Sequence, residues 1–298
     1  MLKSTKKLLF KGCATALVTP MKNGEADLDA FELLVKAQID AGVSALVVCG
    51  TTGEAPTLTE RERQKLISRA VKIADGRIPV IAGTGGPCTD KMLRMSWSAK
   101  EVGADGLLIV NPYYNKGTDD GIVRSYFAAA EIGLPIILYN VPSRTGTDMS
   151  VSLIARLSAH ENIVGLKEAS TVKKVAAVLA SPECDLHVYS GNDEHTFSDM
   201  ALGARGVVSV ASNVIPKRIA YLCALLEEEK YREARELHHS LCPLFYALFE
   251  ETNPVPVKML CERLGICLAD VRLPLAKGSP ALGDKLWHIY TETEKNEK

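Results

Sequence analysis

Asn162-Ile-Val-Gly-Leu-Lys-Glu-Ala-Ser170 is an apolar run that ends on charge. Ile163, Val164 and Leu166 read as a short buried strand, and Lys167 stands where that strand runs out. Val172–Ala180 follows with apolar residues at helical spacing, so the stretch is a strand feeding a helix. An amine that leaves the chain from an apolar strand rather than a polar loop loses water, and desolvation favours the uncharged, nucleophilic form. Taken alone, a lysine at a strand end is more often a surface group. Its neighbours along the chain have to decide.

The same unit recurs on both sides of this stretch. Cys13–Val18 is a β-type run stopped by Thr19-Pro20, and Leu28–Ala41 follows with helical spacing, closed by Gly42. Ala45–Cys49 leads to Thr59–Ala74, Pro79–Ala82 to Thr89–Val102, Gly106–Val110 to Asp119–Glu131, and Pro135–Asn140 to Ser150–Ala159. Further on, His187–Ser190 leads to Glu194–Leu202 and Gly206–Val210 to Pro216–Glu229. Thr59 before Glu60 and Glu62, Ser150 and Thr196 stand at or near helix starts, as capping residues do. Eight such units, their strands apolar on both faces, predict a parallel sheet covered by helices. The expected fold is α/β, a closed (β/α)8 TIM barrel, with a doubly wound open sheet as the alternative. After Glu229 the strands stop, and Tyr231–Phe249, Val255–Leu264 and Pro280–Glu292 read as helices. The predicted division is a catalytic barrel over 1–230 and a C-terminal helical extension over 231–298, packed on the barrel or on a neighbouring subunit, with a frayed tail at 295–298.

A chain of 298 residues can hold one barrel and an appendage. Thirty-five basic and 36 acidic residues leave a charge of −1, and with 24% charged residues there is no basic face for nucleic acid. Met1–Phe10 has basic residues but too short an apolar run for a signal peptide, and no run approaches membrane-spanning length, so a cytoplasmic location is expected. Cysteines 13, 49, 88, 184, 223, 242, 261 and 267 form no CxxC pair and read as reduced thiols. His238, His239 and Cys242 have a helical spacing that could ligate metal, but no further ligand pattern accompanies them; they read as packing or surface groups. The turn Gly83–Gly86 is not a GxGxxG fingerprint, so nicotinamide chemistry has no support.

In a barrel the chemistry sits where the strands end. The predicted strands end in Gly50-Thr-Thr-Gly-Glu54, Gly83-Thr-Gly-Gly86, Asn111-Pro-Tyr-Tyr-Asn115, Tyr139-Asn-Val-Pro-Ser-Arg-Thr-Gly146, Lys167-Glu168, Ser190-Gly-Asn-Asp193 and Ser209-Val-Ala-Ser-Asn213. Hydroxyls, one lysine, one arginine and small glycines therefore converge on one rim. Without a metal site, that set fits Schiff-base chemistry on a carboxylated carbonyl substrate. The lysine condenses with a keto group, a tyrosine shuttles protons, Arg144 grips a carboxylate, and backbone N–H groups near Thr51 and Thr52 hold a second one.

Gly50-Thr-Thr-Gly-Glu54, Tyr139-Asn-Val-Pro-Ser-Arg-Thr-Gly146 and Gly165-Leu-Lys-Glu-Ala169 resemble the dihydrodipicolinate synthase family of pyruvate-dependent class I aldolases, which also include N-acetylneuraminate lyase. The resemblance runs from about Phe10 to Pro274. It implies condensation of pyruvate with L-aspartate 4-semialdehyde, the first committed step towards diaminopimelate and lysine. No cofactor is implied, since pyruvate itself is bound covalently. Lys167 would form the imine, and Tyr139 would relay protons with Thr51 and with Tyr114, the latter reaching in from a neighbouring subunit. Thr52 would help hold the pyruvate carboxylate, Gly191 and the Val208 backbone would line the pocket, and Arg144 would bind the semialdehyde carboxylate. A homotetramer built from tight dimers is implied as well.

Thr51 and the Ser143-Arg144 pair match the synthase branch, which places N-acetylneuraminate lyase second and a sugar-acid aldolase third. An aldolase of phosphorylated sugars would want a phosphate cradle, and Ser209–Asn213 has no lysine or arginine. A non-catalytic keto-acid-binding barrel is a reading of another class, and retention of every catalytic residue type argues against it. Lysine-inhibited members of the family carry histidine, asparagine and glutamate where Glu60, Arg63, Pro87 and Lys91 stand here. The resemblance thus implies weak or absent inhibition by lysine.

Overall fold

The computed structural model describes residues 4–295. The tail read at 295–298 lies, apart from Lys295, outside the described residues, as do the first three residues of the N-terminal stretch. Eight parallel strands close into a barrel: β1 (Gly12–Ala16), β2 (Ala45–Val48), β3 (Val80–Gly83), β4 (Gly106–Val110), β5 (Ile136–Asn140), β6 (Ile163–Glu168), β7 (His187–Ser190) and β8 (Gly206–Ser209). Each pairs with its neighbours in sequence, and β8 returns to β1 through Gly12–Gly206 and Ala14–Val208. The connecting helices are α1 (Leu28–Asp40), α2 (Glu60–Ala74), α3 (Thr89–Glu101), α4 (Asp119–Ala130), α5 (Val151–Ser158), α6 (Val172–Ala180), α7 (Thr196–Ala201) and α8 (Pro216–Glu227). The closed barrel is the expected architecture; the open sheet is not.

Caps place the helix starts. The Thr59 hydroxyl accepts from the Glu62 N–H while the Glu62 carboxylate accepts from the Thr59 N–H, a reciprocal box that satisfies two orphan donors of α2. Ser150 caps α5 and Thr171 caps α6 in the same one-sided way. Thr196 does not act as a cap: a single 3-10 turn over Asp193–His195 runs directly into α7. Two elements lack a sequence signal strong enough to predict them. One is the hairpin of Met21–Lys22 with Glu25–Ala26, and the other is the one-turn helix Pro142–Thr145 after β5.

Burial on both strand faces produces two separate cores. Inside the barrel, Ala14, Ala16, Val47, Ile81, Leu108, Ile137, Tyr189 and Val208 pack together, and Phe10 stacks on Tyr189 to close the lower end. Between sheet and helices lies a larger core that includes Leu46, Leu66, Leu107, Leu138 and Leu166. Each such side chain, fully buried, contributes about 1.5–3 kcal/mol. The C-terminal helices α9 (Tyr231–Ala247), α10 (Val255–Arg263) and α11 (Pro280–Lys295) share this outer core through Leu244, Phe245, Val257, Leu260 and Leu286. The extension therefore packs on its own barrel. All eight cysteines are free.

Candidate active site

The register of β6 against β5 decides which way its charged residues face. Ile136 pairs with Ile163, but Ile137 pairs with Gly165, so β6 carries one extra residue at Val164. From there on Leu138 faces Leu166, Tyr139 faces Lys167 and Asn140 faces Glu168. Tyr139 and Lys167 share the inner face with Tyr189, the partner of Lys167 on β7. Glu168 faces the helices. There the Asn140 amide donates to its carboxylate, and burial lifts that carboxyl above the usual range against the pull of the amide.

Lys167 is 5% exposed, and its Nζ lies 4.3 Å from the centre of the Tyr139 ring. Among the described residues it has no salt bridge. A buried amine that faces an aromatic ring instead of a carboxylate is left free for covalent chemistry. It opens into a cavity of about 1030 Å³ lined also by Thr51, Thr52, Tyr139, Arg144 and Gly191. Gly191 has a packing reason to be glycine: a Cβ there would stand 2.5 Å from the Ala169 Cβ and 2.8 Å from the Glu168 carbonyl, forcing β7 away from the end of β6.

Thr51, Tyr139 and Arg144 form the wall between this cavity and a second one of about 250 Å³, whose lining also includes Arg63, Tyr113 and Leu108. Arg63 is buried, with its guanidinium donating to the carbonyls of Gly83 and Ala55. Tyr114 is not brought to the site within the chain. It is 91% exposed and holds a left-handed backbone at φ 70°, a conformation that costs a bulky residue energy. Val208 lies in the barrel interior and is not among the residues that line the large cavity; Val210, just past the end of β8, is.

Several functional positions lie outside the sequence-based candidates because they come from the extension. Phe249–Asn253 and Pro274–Lys277 supply the outer wall of the cavity. Asn253 donates through Nδ2 to the Thr52 hydroxyl at 3.0 Å, and its main-chain carbonyl accepts from Arg144 Nη2 at 3.1 Å. Lys258, fully buried, donates to Glu54 Oε1 at 2.7 Å and to the Thr19 carbonyl at 2.9 Å, and Glu54 Oε2 accepts from the Arg272 N–H at 2.9 Å. The loop that carries Thr51 and Thr52 is thus clamped from the C-terminal extension. A lone lysine inside the apolar run Val255–Cys261 was the available signal, the same kind that points to Lys167.

No group of three or more potential ligands among the described residues could hold a metal ion. His238 packs between Phe197 and Phe245, and burial lowers its affinity for a proton. No helix among the described residues is long and apolar enough to cross a membrane.

Known proteins resemble the whole of this arrangement. The pattern of the Dihydrodipicolinate synthetase family matches residues 9–290. The 4-hydroxy-tetrahydrodipicolinate synthase of Thermotoga neapolitana is 46% identical over 96% of this chain and 99% of its own. The crystal structure of the Aquifex aeolicus dihydrodipicolinate synthase superposes with a TM-score of 0.93 at 45% identity, covering 96% of this chain and 98% of that one. That of the Acinetobacter baumannii enzyme, crystallised with pyruvate, does so with 0.93 at 38%, covering 95% and 99%. Matched along nearly its full length in sequence and in fold, the chain belongs to the dihydrodipicolinate synthetase family.

Proposed function

We propose that this protein condenses pyruvate with L-aspartate 4-semialdehyde to 4-hydroxy-tetrahydrodipicolinate, on the route to diaminopimelate and lysine. The observation that carries the reading is Lys167, buried at the end of β6 beside the Tyr139 ring, at the floor of a cavity that Arg144 and two threonines also line. The Lys167 amine attacks the keto carbon of pyruvate, and loss of water gives the imine. The imine draws electrons from the neighbouring methyl group, whose proton leaves to give an enamine. That carbon then forms a bond to the aldehyde carbon of the semialdehyde, whose oxygen takes up a proton to become a hydroxyl while the enamine reverts to the imine. Attack of the semialdehyde's own amine on the imine carbon closes the ring and frees Lys167.

Tyr139 is assigned the proton transfers, with Thr51 and with Tyr114 of a second copy. The 250 Å³ slot behind Thr51, Tyr139 and Arg144 has room for an aromatic side chain, and the exposed Tyr114 is a side chain without a place in its own subunit. Thr52 and Gly191 hold the pyruvate end, with Val208 shaping the floor, and Arg144 receives the carboxylate of the aldehyde. Pyruvate bound to Lys167 is the electron sink, so the chemistry calls for no cofactor. We assign catalysis to the barrel, residues 1–230, with 231–298 as the helical unit that completes the outer wall. A homotetramer of tight dimers and a cytoplasmic location complete the reading.

The test is pyruvate consumption by the purified protein with L-aspartate 4-semialdehyde, with N-acetylmannosamine, and with no acceptor, Lys167→Ala serving as control. Consumption with the semialdehyde alone, abolished in the variant, is the expected result. Consumption with the amino sugar instead would move the protein to the lyase branch. Absence of a borohydride-trapped pyruvate adduct on Lys167 would remove the Schiff-base reading altogether.

A further inference from the structure

We infer that Asn253 is the positioning residue that makes the Thr52 hydroxyl a hydrogen-bond donor to the pyruvate carboxylate, and that it ties this setting to the placement of Arg144. The inference rests on the reading of Thr52 and Arg144 as the two carboxylate-binding residues.

Three observations meet at Asn253. Its side chain is 5% exposed, although it belongs to the extension and not to the barrel. Its Nδ2 donates to Thr52 Oγ1 at 3.0 Å across 201 positions of sequence, between two buried residues. Its main-chain carbonyl accepts from Arg144 Nη2 at 3.1 Å. One residue thus touches both groups assigned to hold anions, and no other side chain among the described residues is hydrogen-bonded to the Thr52 hydroxyl.

The direction of the bond to Thr52 matters. A hydroxyl has one proton to give and two lone pairs to receive, whereas an amide nitrogen only gives. When Nδ2 donates to Oγ1, the threonine proton cannot point back at Asn253, so it is left for an acceptor in the cavity. A carboxylate is the acceptor that such a donor favours most, since a hydrogen bond to an ionised group is about twice as strong as one between neutral groups. A buried neutral amide also adds no negative charge beside two anionic substrates. Among the described residues the Asn253 Oδ1 has no hydrogen-bond partner, so no contact on that atom holds the amide in place. The orientation rests on the Thr52 bond itself.

Aspartate at 253 reverses the direction. An ionised carboxylate only accepts, so Asn253→Asp takes the Thr52 proton away from pyruvate and places a negative charge beside the site. A protonated carboxyl can donate again, and burial raises the pH at which that proton is lost. Asn253→Asp should therefore raise the pyruvate KM about tenfold or more at pH 8, with the KM falling back towards wild type as the pH is lowered. Asn253→Ala removes the donor without adding charge, and should raise the pyruvate KM by roughly threefold to tenfold with kcat held within about twofold and no added pH dependence. In both variants the main-chain carbonyl that meets Arg144 remains, so the KM for the aldehyde should move much less than that for pyruvate.

The experiment is steady-state kinetics of wild type, Asn253→Asp and Asn253→Ala from pH 6 to 9, each first checked for folding by circular dichroism. A selective rise in the pyruvate KM, reversed at low pH only in the aspartate variant, is the expected outcome. Should the aspartate variant fail to fold, the alanine variant decides through the split between the two KM values. Equal rises in both KM values, or a loss confined to kcat, would overturn the inference in favour of a general displacement of the 249–254 segment. An aspartate variant that binds pyruvate as wild type does at every pH would mean that Asn253 accepts from Thr52, which also overturns it. The wild type keeps the two readings apart. If it traps no pyruvate on Lys167, the functional reading itself fails; if it traps pyruvate and the variants match it, only the role of Asn253 falls.

Discussion

Lys167 and Lys258 are the two lysines buried among the described residues, and their surroundings differ in kind. Lys258 lies inside α10 with its Nζ between the Glu54 carboxylate and the Thr19 carbonyl, both ends of the ion pair fully removed from water. Lys167 lies at the barrel mouth against the face of Tyr139, with an open cavity beyond. Burial is therefore not what marks a reactive lysine. A buried amine with a carboxylate partner is committed to holding structure, since each charge compensates the desolvation of the other. A buried amine without one is not committed to an ion pair, and at Lys167 it borders the cavity where the proposed reaction would take place.

Substitution should separate the two sites most clearly in turnover. Lys167→Met is expected to lower kcat on the order of 10³-fold or more, because no other group can carry the covalent intermediate. Its unfolding free energy should stay within about 1 kcal/mol of wild type or rise. A large loss of stability in denaturant titration would show that Lys167 is structural after all. The reverse pattern belongs to Lys258. Lys258→Met leaves Glu54 charged and unpaired in the interior, and should cost about 3–5 kcal/mol of stability, read as a lower denaturation midpoint. Activity should be partly lost as well, since Glu54 anchors the loop of Thr51 and Thr52. A stability change below 1 kcal/mol would break the comparison.

Asp199 offers a milder third case, a buried carboxylate held by a hydroxyl and not by a cation. The Ser190 Oγ donates to it at 2.6 Å, and burial pushes its proton affinity up to a pKa of about 6, with the serine working against the shift. The unfolded value is roughly 3.9, so between these limits the folded state binds the proton more tightly. The contribution of this group to stability is complete below about pH 4 and is lost as the pH rises through 6. Asp199→Asn should therefore stabilise the protein above pH 6 by on the order of 1 kcal/mol and be close to neutral in acid. Unfolding titrations at both ends of that window check the sign, and a gain that is larger in acid would refute it.

The repeated units that alternate apolar strands with amphipathic helices were sufficient by themselves to specify a parallel sheet covered by helices, because a strand apolar on both faces can only be buried in a sheet covered on both sides. The pairing of β8 with β1, which closes that sheet into a barrel, was decided by the tertiary structure. The motifs at the strand ends placed Thr51, Tyr139, Arg144, Lys167 and Gly191 around one cavity, since strands of a parallel barrel all end on the same rim. Two further things were beyond local pattern. In Ile163-Val-Gly-Leu-Lys-Glu168 every residue is buried, so alternation cannot tell whether Lys167 or Glu168 faces inward. The extra residue at Val164 in the pairing with β5 sets that phase, and a slip of one residue would turn the lysine out among the helices. The clamp by Asn253, Lys258 and Arg272 is equally invisible, because it joins positions far apart in sequence, from 201 residues for Asn253 and Thr52 to 239 for Lys258 and Thr19. Periodicity reports which face of an element is apolar. Which distant backbone or side chain meets a polar group buried on that face is settled only when the chain has closed around it.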